Sequence, residues 1–379
     1  MVSMLQRGTS RSTPRSLRRA VLIAAMPLMV AGAGVVAGGG VTAGGRTEAG
    51  DGMAATGQLA DVWLERESFV MGTRLRLEVG APTREAATGA SEQALAEVRR
   101  LDALLSTWDG TAEMARLNAT PRGSSAAVSP ALLVLLLEAE AWSKRTGGAF
   151  EPAVGSLVNA WDLRGTGRVP DAASLRGALR AVRAGVALDA AAGTLTRNDA
   201  AAWIDTGGFG KGAALAAAAH ALRAAGVTDA VLDFGGQIMA LGQPADGGGW
   251  RVPVAHPRHR QEAVGELLLR DVSAATSGAS ERFIEVAGQR YGHLLDPRTG
   301  QPVPAWGSVT VVAADPLAAD ALSTALFVLG PAAGMAWARD REDVAVLFLE
   351  DTPRGLVPHR NAAMERWLTR TIQAERTLR

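Results

Sequence analysis

Residues 275–300 read ATSGASERFIEVAGQRYGHLLDPRTG, and the rest of the chain is organised around them. Phe283, Glu285 and Ala287 alternate with Arg282, Ile284 and Val286, the two-residue period of a strand, and Gly288 can turn the chain back as a β-hairpin. Thr276-Ser277-Gly278 reads as a small-residue turn ahead of it. Asp296-Pro297-Arg298-Thr299-Gly300 is a second turn, because Pro297 fixes φ and Gly300 tolerates positive φ. His293 joins Asp296, Arg298 and Thr299 in a polar cluster. Alone, the stretch is a surface hairpin with a polar turn. It becomes a wall of a site only where other polar, glycine-rich segments converge on it.

Two segments offer that convergence. Upstream, Asp205-Thr206-Gly207-Gly208-Phe209-Gly210-Lys211-Gly212 makes a glycine loop at the mouth of a long alanine-rich helix. Bare amides at a helix start attract phosphate, yet the loop fits neither common nucleotide template. Asp205 and Gly212 break the phosphate-loop pattern, and glycines at 208, 210 and 212 do not spell Gly-x-Gly-x-x-Gly. A cap or a tight helix–strand approach would also need such glycines, so phosphate binding stays open on the loop alone. Downstream, a helix over 316–329 carries Asp320 and Thr324 on one face, four residues apart, with Ser323 beside them. Alanine, leucine and phenylalanine surround them, so Asp320 is buried and needs a partner. That partner is a loop amide, an arginine, or a hard cation such as Mg²⁺ held by oxygen atoms. Trp108, in the polar turn Ser106-Thr107-Trp108-Asp109, is either a partly exposed core residue or a ring on which a flat ligand stacks. His293 is a strand-end histidine, a base or a phosphate contact. No Gly-x-Ser-x-Gly nucleophile motif occurs.

Periodicity predicts a strand over 65–79, helices over 83–105 and 113–118, and a third helix opened by Ser129-Pro130 and stopped by Gly147-Gly148. A short helix ends near Trp161, and 171–200 reads as a helix plus a small hairpin. Strands follow at 201–204, 229–234, 250–255, 265–270, 309–313 and 344–349. Helices and strands mix without strict βαβ alternation and without a repeat, which predicts an α+β fold.

The chain has 379 residues, 47% hydrophobic and 20% charged, as in ordinary globular domains. The first 47 residues hold six arginines and no acid, so a net charge of +1 for the whole becomes −5 for the body. That mild acidity argues against a nucleic-acid partner. Arginines over 7–19, an apolar run from Ala20 and a small-residue end have the form of an export signal over 1–37. Arg18-Arg19 before the run is twin-arginine-like. Residues 38–60 read as linker and 61–379 as the folded body. The chain has no cysteine, which rules out disulfides, thiolate metal sites and a lipoprotein anchor.

Seven stretches in order resemble one family, the FAD:protein FMN transferases or ApbE family. Met71-Gly72-Thr73 is similar to its opening Met-Gly-Thr, and Ser106-Thr107-Trp108 to its Ser-x-Tyr. Gly148 to Pro152 with Val154 to Asn159 resembles its Gly-x-Phe-Asp-Pro-x-Val-Gly-Pro-Leu-Val-Asn. The glycine loop resembles Asp-Leu-Gly-Gly-Ile-Ala-Lys-Gly. Ala275 to Gly278, His293 to Gly300 and Ala319 to Ala325 complete the set, which spans about residues 65–350.

The resemblance implies an α+β fold of two intimately packed subdomains with the flavin site between them. It implies Mg²⁺-dependent transfer of FMN from FAD to a Thr or Ser hydroxyl of a target protein, with release of AMP. FAD contacts carry over to Met71, Trp108, Ala149, Phe150, Glu151, Gly207, Ala213 and Leu295, and metal ligation to the Gly210 carbonyl, Asp320, Thr324 and Ser323. His293 matches a histidine beside the reacting phosphate, which makes it the candidate catalytic base. The implied acceptor is an exported domain of a membrane redox flavoprotein. Three positions depart from the pattern: Glu151 for Asp, Ala213 for Tyr, and Ser280 where Tyr is frequent. An FAD pyrophosphatase using water as acceptor, and a non-catalytic flavin binder, are the alternatives.

Overall fold

The computed structural model describes residues 62–278 and 283–370. The expected export segment, the linker, Ser280 and the last nine residues lie outside the described residues. The chain opens with strands β1 (Val62–Val70) and β2 (Thr73–Ala81), where the sequence predicts one strand over 65–79. Met71 and Gly72 divide it, with φ of 50° and 72°. Two consecutive left-handed residues are what a two-residue hairpin turn demands, and only Gly72 signals it in the sequence. Helix α1 (Arg84–Leu105) follows, its first turn capped by Thr83, which accepts from the Ala86 amide at 3.1 Å.

Residues 113–205 add elements outside the main sheet, several of them sharing its core through Met114, Leu132, Leu136 and Phe150. They are α2 (Glu113–Asn118), β3 (Ser125–Ala127), α3 (Pro130–Arg145), α4 (Gly155–Ala160), α5 (Ala172–Ala184), β4 (Val186–Asp189) and β5 (Thr194–Arg197). Ser129 and Pro130 start α3 as expected. No strand forms at 201–204: Ile204 is bonded through both backbone groups to the Asn118 amide, at 2.8 and 2.9 Å, so a side chain takes the place of a partner strand.

The chain then runs through α6 (Gly210–Ala224), β6 (Ala230–Phe234), β7 (Gln237–Leu241), β8 (Trp250–Ala255), β9 (Ala263–Leu269) and β10 (Val272–Gly278). After the hairpin of β11 (Phe283–Val286) and β12 (Gln289–Gly292) come β13 (Gly307–Ala313), α7 (Pro316–Ala338), β14 (Val344–Thr352), β15 (Gly355–Arg360) and β16 (Leu368–Arg370). The hairpin turns at Ala287 and Gly288, as its alternation predicts. Thr276-Ser277-Gly278 is strand, not turn: the three residues pair with β13 in the middle of the main sheet. They are small because α7 packs directly over them, with Ser277 Oγ 2.9 Å from Ser323 Oγ. The regular part of α7 ends where the sequence predicts, at Gly330-Pro331, and a further stretch continues past this break.

Eight antiparallel strands make the main sheet in the order β1-β2-β6-β7-β10-β13-β14-β15. Helices α1, α6 and α7 cover one face and bury Leu75, Leu77, Leu232, Val311 and Val346. The β16-β9-β8 sheet covers the other face, its Trp250 and Leu267 sharing a core cluster with Leu347 of β14 and with Met364. The result is the α+β architecture expected, with central strands such as β7 and β13 buried on both faces and β1 partly exposed at the edge.

Helix α3 meets the start of α7 through two carboxyl groups. Asp315 caps α7, accepting from the Leu317 and Ala318 amides at 3.1 Å. Burial, reinforced by a hydrogen bond to Asp315 and by its charge, raises Glu138 from 4.5 to about 7. A raised carboxyl contributes stability that is fully present below pH 4.5 and is lost as pH rises through about 7. Glu138 is half-buried, so solvent screens part of the effect. Glu138→Gln is expected to raise Tm at pH 8 by roughly 2–4 °C and to leave it nearly unchanged at pH 4.5, which melting curves across pH will check.

Candidate active site

A cavity of about 910 Å³ opens where residues 149–164 meet the β1–β2 turn, the glycine loop and the 283–297 segment. That is the size of a site for a large small-molecule ligand. Of the residues expected to contact a cofactor, Met71, Trp108, Ala149, Phe150, Glu151, Gly207 and Leu295 line it. His293 and the expected metal ligands Gly210, Asp320 and Thr324 line it too. Ala213 and Ser323 do not: Ala213 is on the core-facing side of α6, and Ser323 is buried behind the cavity wall.

The polar side of the cavity is built where α6 and α7 cross. Asp320 is 5% exposed. Its carboxylate accepts from the Gly212 amide at 3.0 Å and faces the Lys211 ammonium at 3.1 Å. The partners are thus the expected loop amide and a lysine, where the sequence suggests an arginine. A Cβ on Gly212 would lie 2.7 Å from Leu317 Cα and closer still to the Pro316 carbonyl, so the two helices touch backbone to backbone there. Two more of the loop's amides are also spent within the protein, Gly207 on Asp205 Oδ1 at 2.8 Å and Gly210 on the Thr206 carbonyl at 2.8 Å. The Thr324 hydroxyl would lie 3.5 Å from a Cβ at Gly208, which brings it against the loop. Ser323 Oγ donates to the Asp320 carbonyl at 2.9 Å and meets Ser277 Oγ, so it supports the helix rather than facing the cavity.

The donor set on this side is all oxygen, which suits a hard cation. Among the described residues no three His, Asp or Glu side chains cluster. A cation here would therefore draw on one carboxylate, a hydroxyl, a carbonyl and water, the arrangement that Mg²⁺ tolerates and softer metals do not prefer.

The opposite side is apolar. Val154, Leu163, Ile284 and Leu295 belong to one cluster packed around Leu157 and Trp161. The turn over 296–300 anchors this wall: Arg298 forks onto Asp296 at 2.8 and 2.9 Å, and the Trp161 indole donates to the Gly300 carbonyl at 2.8 Å. Arg298 is consumed by that pair, and Pro297 faces the cavity in its stead. Glu151 reaches both the Ser143 hydroxyl, at 2.8 Å, and the Ala153 amide, at 2.9 Å. Its extra methylene is accommodated as a cap for the short turn after it.

The sequence reading missed two groups of lining residues. Gly235, Gly236 and Gln237 join β6 to β7 on the cavity floor, and the Gly-Gly pair between two apolar runs was a usable hairpin signal. Arg164 also lines the cavity. Nothing local in Leu163-Arg164-Gly165 marks it, because its partners come from segments about 40 and 57 residues away.

A model of the ApbE family matches residues 71–348. The chain belongs to the ApbE family of flavin transferases. An FAD:protein FMN transferase of Treponema pallidum is 33% identical over 304 residues, covering 75% of this chain and 83% of the relative. One from Vibrio cholerae is 30% identical over 271 residues, covering 70% and 80%. The fold agrees. The ApbE protein of Thermotoga maritima superposes with a TM-score of 0.73 at 28% identity, over 80% of this chain and 98% of that one. The flavin transferase ApbE from Vibrio cholerae gives 0.70 at 26%, over 81% and 100%. The ApbE match includes the β1–β2 turn, the glycine loop, His293 and α7, which are the walls of the cavity.

Proposed function

We propose that this ApbE protein transfers FMN from FAD to a Thr or Ser hydroxyl of an exported acceptor domain, releasing AMP, and that it is itself exported by its N-terminal segment. The observation that carries this reading is the two-sided cavity, apolar along Val154, Leu163, Ile284 and Leu295 and polar where α6 crosses α7. An amphipathic dinucleotide with a flat ring at one end and a pyrophosphate in its middle has that complementarity.

In the reaction the acceptor hydroxyl oxygen bonds to the FMN-side phosphorus, the bond from that phosphorus to the bridging oxygen breaks, and AMP leaves with the electron pair. The hydroxyl proton goes to a base, and His293 on the cavity wall is the candidate. Lys211 supplies fixed positive charge near the transferring group, and the apolar wall keeps water from competing with the acceptor. Asp320, Thr324 and the Gly210 carbonyl would hold Mg²⁺, which when bound neutralises charge on the phosphoryl oxygens.

The reading is tested by incubating the protein with FAD and Mg²⁺, with and without an acceptor domain. Covalent flavin on the acceptor supports transfer, AMP with free FMN alone identifies a pyrophosphatase, and neither product identifies a binder. His293→Ala is expected to slow single-turnover transfer about 10²-fold or more. An unchanged rate would take the proton-accepting role from His293.

A further inference from the structure

Arg164 is a charged group in the cavity wall to which no role has yet been given. Its guanidinium carbon lies 4.4 Å from the centre of the Trp108 indole and 4.5 Å from that of Trp203. Its edges are bonded as well: Nη1 donates to the Thr107 carbonyl at 3.1 Å, and Nη2 to the Thr107 hydroxyl at 2.6 Å and to Asp205 at 2.7 Å. Trp203 in turn rests on the backbone of Gly155, where any Cβ would collide with its ring. The turn after α1, Trp203 and the first residue of the glycine loop, Asp205, therefore meet at one side chain, and α4 backs Trp203. Trp108, in that turn, is 73% exposed at the mouth of the cavity. An indole so exposed on a turn has rotamer freedom to lose. A cation over one face restricts it and leaves the other face uncovered.

We propose that Arg164 is a positioning residue, a clamp that fixes the Trp108 indole so that its uncovered face stacks on the flat ring of the substrate. This rests on the reading that the cavity takes FAD. A lysine at 164 keeps the charge and a partner for Asp205 but loses the planar fork that grips Thr107 and the two indoles.

The experiment compares wild type, Arg164→Lys, Trp108→Ala and the double variant. FAD affinity is read from quenching of flavin fluorescence, and KM and kcat from transfer. In the ligand-free proteins, near-UV circular dichroism reads the order of Trp108, with Trp108→Phe defining that residue's own contribution. Arg164→Lys is expected to weaken FAD binding and raise KM about tenfold, with kcat within about threefold. It should have no further effect once Trp108 is alanine, and it should remove the Trp108 signal from the ligand-free spectrum. Unchanged affinity, an effect that adds in full to that of Trp108→Ala, or a fall in kcat at constant KM would each overturn the clamp. If wild type bound no FAD, the functional reading would fall, and the ligand-free spectrum would still decide the clamp: a retained Trp108 signal in Arg164→Lys refutes it.

Discussion

Asp320→Asn is expected to fold with nearly wild-type stability and to lose activity by about 10²-fold or more. Asp320→Ala should lose both. The asparagine keeps an oxygen for the Gly212 amide but removes the charge that faces Lys211 and that would bind Mg²⁺. Alanine leaves the buried Gly212 amide and the partly exposed Lys211 ammonium without their partner, which costs about 1–3 kcal/mol. Measuring Tm and Mg²⁺-dependent transfer on the same preparations separates the two contributions. An asparagine variant with full Mg²⁺-dependent activity would remove Asp320 from the metal site and leave it as the anchor of the α6–α7 crossing.

Gly212→Ala is expected to destabilise the protein by about 3 kcal/mol, near the upper end of the cost of overpacking. Alanine ordinarily favours a helix over glycine by about 1 kcal/mol, so intrinsic preference points the other way. Contact decides here, because the new methyl group would enter the backbone of Pro316 and Leu317, and backbone cannot rotate aside. Gly89 in α1 is the control. A Cβ there meets nothing within 4 Å, so Gly89→Ala should stabilise by about 0.5–1 kcal/mol. Denaturant unfolding of the two variants should give changes of opposite sign. A neutral Gly212→Ala would mean that α6 and α7 part easily, and with them the Asp320–Gly212 contact.

These two residues also show what is legible in the chain and what is not. Asp320 and Thr324 stand four apart in an apolar helix, a pattern visible without a structure, and the cavity includes both. Gly212 was legible as part of a glycine loop, but not its reason. It serves the crossing of two helices more than 100 residues apart, and its amide goes to Asp320 rather than to open space. The α+β class and the 283–292 hairpin follow from local periodicity. Thr276-Ser277-Gly278 was misread because small residues mark tight packing as well as turns, and only the neighbouring α7 separates the two. Met71 was misread because a non-glycine residue at positive φ has no signature in composition. Arg164 had no signal at all, since its meaning comes from Trp108, Trp203 and Asp205 meeting in space.

The most direct measurement of the central claim is the intact mass of an exported acceptor domain after incubation with this protein, FAD and Mg²⁺. The account predicts a gain of one FMN per acceptor and an equal amount of AMP. It also predicts no gain when the acceptor's target Thr or Ser is replaced by a residue without a hydroxyl. Release of AMP with the acceptor mass unchanged would contradict transfer and make the cavity that of a pyrophosphatase.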